Sequence, residues 1–536
     1  MNPYNPTTMG IKYVLLSACL ILTIASCTED DFADAYPDPA RISETTVDKQ
    51  FTGMLVEGRD YVVPDYWNYF VVLMGTLNPW TQSIGWTNDP GQYVPGSSGV
   101  NSFWDNYYSV LAQYREVERV HDMLDAEKQA DLMIFRMAAD VYMHFETQRA
   151  VDLFGMMPYF EAGMLSTNAG DYTASYAPFD TGSEIYSFML DDLKAIADAM
   201  QSVELSASTA ASFRNQDLIN NGDVDLWRRF TNSLRMRMLM RVVEAPEFSA
   251  RAMAELEEIV SNPDRYPVIE DNAQNSMIDV FDPSSAISAR GFQGGINSAG
   301  WDGDDASKIM IDFLKASDDP RLEILFEPGT AADGEFTGLD PMMDGTAQQS
   351  MVNDGMIAYY NRKTFSENEY FPGVLFNAAE VSFLKAEYYA RTDNGDAAVE
   401  AYERGIRQSI DFYLHANSIS TAANGVTVES VSDEEYQALI DSEPVMMTAG
   451  LSTDQKLQLI AQQKWLHFNI IQPYQNWAEV RRLDYPQLEF WNDNSSVQTL
   501  PPNRWGISGR EISFNPNYAE VSSMDNLSTK LFWDVR

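Results

Sequence analysis

Apolar residues recur along most of this chain with the spacing of a helix, not of a strand. Leu132, Phe135, Ala139 and Tyr142 fall at i, i+3, i+7 and i+10, which puts them on one face. Phe376, Ala379, Phe383, Ala386 and Ala390 form a second stripe, and Val399, Tyr402, Ile406, Ile410 and Tyr413 a third. Boundary signals agree with the periodicity. Asp223 and Asp225 precede Leu226-Trp227 and supply a cap for a helix running on through Arg241, while Gly155, followed by Pro158, closes the helix before it. Further helices are expected near 46–58, 104–125, 183–202, 305–315 and 453–485. Two zones break the pattern, 77–103 and 265–375, where Gly, Pro, Asn, Asp and aromatics replace the stripes. Neither is low-complexity, and long loops on a helical frame are where binding surfaces usually lie. The expected class is mainly α, with a loop-rich face.

The N-terminus carries a different pattern. Tyr13 to Ser26 is a largely apolar run of 14 residues behind one positive charge, Lys12. A membrane-spanning helix needs about 20 apolar residues, so the run reads as the core of a secretory signal. Its end, Ile24-Ala25-Ser26-Cys27, resembles the lipobox of bacterial lipoproteins. In those proteins the cysteine thiol is diacylated, the signal is cut before it, and the new amino group is acylated. The resemblance implies a signal peptide over 1–26, with Met9 an alternative start to Met1, and lipidation at Cys27. Two or more acyl chains anchor a protein stably where one does not. Residues 27–45 read as an acidic tether, and its Glu29-Asp30-Asp31 looks like a surface-export signal. Cys19 lies in the signal, so the mature chain is expected to have no disulfide. The rest, 46–536, reads as a single domain.

Charge narrows the partners. With 79 acidic and 36 basic side chains the formal net charge is −43, a field that repels polyanions and excludes phosphate-driven nucleic-acid binding. No GxSxG elbow, Walker loop or GxGxxG is present. His121, His144, His415 and His467 are scattered without metal-ligand spacing, and His144 reads as a surface or boundary residue. Asp302-Gly303-Asp304-Asp305 has oxygens that would suit Ca²⁺, but it lacks the spacing and terminal Glu of an EF-hand loop. It is read as a turn and N-cap, and no cofactor is expected. Aromatic residues are enriched instead: 12 of the 48 residues from Tyr61 to Tyr108 are Phe, Trp or Tyr, against 12% overall. Trp80, Trp86 and Tyr93 lie in the turn-rich part, where flat rings can stack on sugar faces or grip peptide side chains. Trp301, with Tyr359, Tyr360 and Tyr370, forms a second candidate group.

Several segments, in order, resemble the SusD/RagB family, particularly its second large branch. Thr147 to Gly155, then Pro158-Tyr159, looks like the family's "T-x-x-Y-G-x-x-P" stretch. Gly222-Asp223, Trp227, Phe230 and Asn232-Ser233-Leu234 resemble its "GD-x-x-x-W-x-x-F-A-N-S-L", with Thr231 in place of Ala. Asp319-Pro320-Arg321-Leu322, Ala379-Glu380-Val381, Gln462 to Trp465, Asn476 to Arg482, Pro502 to Trp505 and Asn515 to Tyr518 continue the match. Most of these residues read as scaffold, with Trp227 and Trp477 buried and Arg321 paired to a carboxylate. Ala386, Tyr389, Ala398, Tyr402 and Gly405 also resemble one tetratricopeptide unit. The family resemblance implies a helical body of four tetratricopeptide-like hairpins that caps a SusC-like TonB-dependent transporter in the outer membrane. Such a protein is lipid-anchored, faces outward, delivers a glycan or peptide nutrient and is not an enzyme. A helical-repeat scaffold or adhesion lipoprotein and an outer-surface glycoside hydrolase are the competing classes.

Overall fold

Side-chain caps mark where many of the long helices start. The computed structural model describes residues 45–297 and 303–536; Cys27, with most of the tether, and Trp301 lie outside the described residues. Helix α1 spans Val47–Gly58, α2 Ser97–Asp122, α3 Ala126–Phe154, α4 Gly182–Met200 and α5 Val224–Arg241. After α6 (Ser249–Ser261) come α7 (Ala378–Arg391), α8 (Gly395–Ile419), α9 (Thr453–Phe468) and α10 (Pro473–Leu483). Asp223 accepts from the amides of Asp225 and Leu226 at 2.8 and 3.2 Å. Asp125, Asn377 and Asn394 cap α3, α7 and α8, and reciprocal capping boxes open α4 (Thr181, Glu184) and α9 (Ser452, Gln455). Each such cap contributes about 0.5–2 kcal/mol. Gly155 ends α3 in the left-handed conformation, φ 75°.

Neighbouring helices then fold back on each other as hairpins: α2 on α3, α4 on α5, α7 on α8 and α9 on α10. The α7–α8 pair shows why small residues mark the crossings. A Cβ at Gly405 would fall 2.6 Å from the Phe383 ring, so only glycine permits that approach. This is the mainly α, tetratricopeptide-like body expected. One boundary differs. The run expected over 453–485 is two helices, because Asn469 turns the chain at φ 23° and Pro473 opens α10 at a position that needs no N–H.

A layer of charge lies inside this body. Arg482 donates to both Glu387 oxygens, at 2.7 and 2.8 Å, and to both Glu479 oxygens, at 3.0 and 2.7 Å. Lys464 bridges the same two carboxylates at 3.0 and 2.9 Å. Burial alone would raise both acids. Arg482 and Lys464 outweigh it and hold Glu387 and Glu479 well below the usual range. Arg321 pairs with Asp319 at 2.6 Å, both fully buried. His144 is a correction: it is buried, not at the surface, with Nε2 2.7 Å from Asp192.

The zones without helical periodicity are more ordered than their composition suggests. Leu77–Trp80 forms a helical turn, and 97–103 belongs to α2. Within 265–375, short helices alternate with strands that pair antiparallel. β3 (Ser276–Ile278) lies on β6 (Gly373–Phe376), and β4 (Phe326–Glu327) on β5 (Tyr359–Tyr360). A further pair, β1 (Met156–Met157) and β2 (Asp180–Thr181), follows α3. The Tyr360 hydroxyl donates to the Ser83 carbonyl at 2.7 Å and joins the two zones. Among the described residues no helix is long and apolar enough to cross a membrane.

Candidate functional site

The segment Gly85–Gln92 is fixed by bonds to distant parts of the chain. The Gly85 amide donates to the Asp305 carbonyl at 2.7 Å. Asn88 donates from its side chain to the carbonyls of Pro341 and Met343, at 2.7 and 2.9 Å, and from its amide to Gln348. The Gly91 amide donates to Asp493 at 2.7 Å, and this bond and the Ser495 hydroxyl hold the Asp493 carboxyl below its usual range. The result is a rigid rim around a cavity of about 420 Å³, lined by Trp86, Thr87, Asp89, Gln92, Asp305 and Gln349 among others. The volume suits one or two sugar rings or a short peptide.

The three aromatics expected to present themselves outward behave differently. Trp86 is half-buried and forms a wall of the cavity, and no acceptor among the described residues meets its indole N–H. Trp80 and Tyr93 are core residues, 2% and 4% exposed, which corrects the expectation for both. Each can be buried whole because its polar tip has a partner. The Trp80 indole donates to the Gln92 carbonyl at 3.2 Å, and the Tyr93 hydroxyl to the Trp491 carbonyl at 2.7 Å. Burial pushes the Tyr93 hydroxyl up to about 12. All three nevertheless meet, lining a void of about 30 Å³ under the rim, with Phe490 edge-on to Tyr93. Trp80 also packs on Trp477, ring centroids 5.5 Å apart.

Other exposed aromatics were not anticipated. Tyr66 and Trp67 are 40% and 49% exposed at the start of a π-helical turn, Trp67–Leu73, that runs on toward Gly75 at the cavity edge. Tyr66 stacks on Phe70 at 5.1 Å and 16°. The signal was present in Tyr66-Trp67-Asn68-Tyr69-Phe70: four aromatics in five positions spread around a helix and cannot all face inward. The π-helical turn adds to this, since such turns frequently mark functional sites.

Of the second candidate group, Tyr360 is buried and Tyr359 donates to Glu327 at 3.3 Å, while Tyr370 lines a different cavity. In Asp302–Asp305 the N-cap expectation is corrected. Asp305 bridges to Tyr359 in extended conformation, and the cap position of the helix Lys308–Ala316 falls to Ser307. Among the described residues, no group of three His, Cys, Asp or Glu is placed to hold a metal ion.

The sequence profile of the SusD-like_2 family, described as "Starch-binding associating with outer membrane", matches residues 43–506. The chain belongs to the SusD-like_2 family. Solved structures share its fold. A chitin-binding protein superposes with a TM-score of 0.71 at 20% identity, covering 91% of this chain and 100% of its own. A SusD homologue from Bacteroides fragilis gives 0.72 at 18%, with the same coverage, and one from Bacteroides ovatus 0.66 at 21%, covering 91% and 99%. Among curated proteins none matches. Members of this SusD-like group bind nutrients at the outer membrane, and carbohydrate binding is the activity that the family's description names.

Proposed function

We propose that this SusD-like protein binds a glycan in the cavity walled by Trp86 and passes it to a SusC-like TonB-dependent transporter. In this reading the protein serves as the transporter's lid and catalyses no reaction. The carrying observation is the pairing of a partly exposed indole with Thr87, Asp89, Gln92 and Gln349 on a rim held rigid by Asn88 and Asp493. An aromatic face takes the apolar side of a sugar ring, and amide and carboxylate groups take its hydroxyls. Rigidity matters because a loop already ordered loses little entropy when ligand binds. Trp301, close in sequence to Gly303 and Asp305, is proposed as a further contact. Lipidation at Cys27 would hold the protein to the outer membrane, facing outward.

Two measurements test this. Titration calorimetry with malto-oligosaccharides and chito-oligosaccharides is expected to give saturable binding to the mature protein, weakened roughly 5- to 30-fold in Trp86→Ala; no binding of either series to the native protein would overturn the glycan reading. A pull-down of the tagged protein from native outer membrane should carry a SusC-type barrel with it, and the Cys27→Ala protein should itself be lost from the membrane fraction. A native protein that stays membrane-bound yet is inaccessible to protease on intact cells would contradict the outward orientation.

A further inference from the structure

A larger cavity, about 530 Å³, lies between the chain that follows β3 and the last turns of α8 and shares no lining residue with the Trp86 cavity. Three separate segments build it. Phe412, His415, Ala416 and Ile419 fall at i, i+3, i+4 and i+7, so one stripe of α8 forms a wall. Met277 on β3, and Val280 and Phe281 beyond it, form the opposite side, and Tyr370 and Pro372 close the floor ahead of β6. The lining is mostly apolar. Phe281 is 78% exposed, a large apolar side chain with little of its own chain to cover it.

The polar groups in the cavity are few and their availability is unequal. Asn272 is occupied, donating to the Gln408 carbonyl at 2.9 Å, and Asn275 accepts the Ala378 amide at 2.8 Å. Asp279 is the exception: among the described residues no donor meets its carboxylate, burial raises its pKa, and only the His415 imidazole opposes that shift. The cavity also lies at the C-terminal end of α8, a helix of 25 residues whose dipole makes that end favourable for a cation. A sugar would need hydrogen bonds around its whole ring, and too few free groups remain here to supply them. An apolar ligand with one positive charge fits every wall.

We infer that this cavity is a second binding site, which takes an apolar peptide segment carrying one basic side chain. The apolar groups would pack on Phe281, Tyr370 and Phe412, and the ammonium or guanidinium would pair with Asp279 beside the α8 terminus. The net charge of −43 favours the approach of such a segment. This inference does not rest on the glycan reading of the Trp86 cavity, since the two sites share no lining residue.

The probe is the acetylated, amidated tripeptide Phe-Lys-Leu, titrated calorimetrically into the whole mature protein, with Phe-Gln-Leu and Phe-Glu-Leu as controls. The Lys peptide is expected to bind about tenfold more tightly than the Gln peptide, and the Glu peptide more weakly still. Asp279→Asn should remove that tenfold preference, and Ile419→Trp, which fills the cavity without touching the charge, should abolish binding of all three. Trp86→Ala should leave the peptide isotherms unchanged. Three results would overturn the inference: equal binding of the three peptides, an Asp279→Asn variant that keeps the Lys preference, or no binding of the Lys peptide at millimolar concentration. Maltoheptaose binding that Ile419→Trp abolishes would equally overturn it, because the cavity would then be a glycan site. Failure of the glycan reading would appear only in the oligosaccharide titrations of the native protein and Trp86→Ala.

Discussion

Trp80 and Trp86 are six positions apart, line the same small void and should respond to truncation in opposite ways. Trp80 is 2% exposed, packs on Trp477 and donates its indole N–H to Gln92. Trp80→Ala removes a buried indole in a site held by several helices, so the space left cannot collapse fully. Such truncations cost about 3–5 kcal/mol. The Gln92 carbonyl also loses its donor, at a further cost of about 1 kcal/mol, and Gln92 is a rim residue. Trp86→Ala removes a partly exposed ring whose N–H has no partner among the described residues. Its stability cost should be smaller, about 1–2 kcal/mol, because part of the lost surface was already in water. In binding, by contrast, a stacking ring contributes on the order of 1–2 kcal/mol, or roughly 5- to 30-fold in affinity. Urea unfolding followed by tryptophan fluorescence, with calorimetric titration of the same samples, separates the two effects. A Trp86→Ala protein as destabilised as Trp80→Ala, with ligand affinity intact, would show that the rim indole is packing and would refute the assignment.

His467 should make the protein sensitive to acid. Burial, with Arg321 nearby, lowers its pKa from 6.5 to about 3, and its ring nitrogens face the Ser409 hydroxyl and the Asn377 side-chain oxygen, both at 2.9 Å. The unfolded chain binds a proton below pH 6.5 and the folded one does not, so stability falls as pH drops from about 6.5 to 3. At pH 4.5, two units down, the loss is about 3 kcal/mol. His467→Gln lacks the titration, so the stability gap between native and variant should narrow by about that amount between pH 7 and 4.5; an unchanged gap would refute the assignment. Within the charge layer, Arg482→Met should cost about 3–5 kcal/mol in urea unfolding, since it leaves Glu387 and Glu479 buried with less cation than they need. A loss below about 1 kcal/mol would mean that Lys464 and its neighbours suffice alone.

What could be read from the sequence followed from how local each feature is. The stripes through Phe383 and Tyr402, the Asp223 cap and the Gly155 stop depend on residues within a few positions, and all lie in the structure where the spacing puts them. The break between α9 and α10 was also legible, in Pro473, but the apolar pattern on either side hid it. The burial of Trp80 and Tyr93 was not legible. The Tyr93 hydroxyl finds its partner at Trp491, 398 positions on, and nothing near either residue signals that bond. Turn-rich composition around 77–103 suggested outward rings, whereas Trp477 and Phe490 had already closed over them. Tyr66 and Trp67 were missed because they lie outside both turn-rich zones, in a stretch between the helix expected near 46–58 and the zone 77–103.

The same non-local bonds support the proposal that the Trp86 rim is a binding surface. A segment containing Thr87-Asn88-Asp89-Pro90-Gly91 would, by composition, be a mobile loop, and ordering it on ligand would cost roughly 1–2 kcal/mol per residue. Here that ordering belongs to folding: Gly85 is tied to Asp305, Asn88 to Pro341, Met343 and Gln348, and Gly91 to Asp493. The anchors come from three separate stretches of the chain, around 305, 341–348 and 493. Trp80 and Tyr93 fill the space beneath, so the rim cannot sink when Trp86 is loaded. The aromatic enrichment around 61–108 therefore serves two purposes that sequence cannot separate. Trp86 walls the cavity, and Trp80 and Tyr93 are buried beneath it.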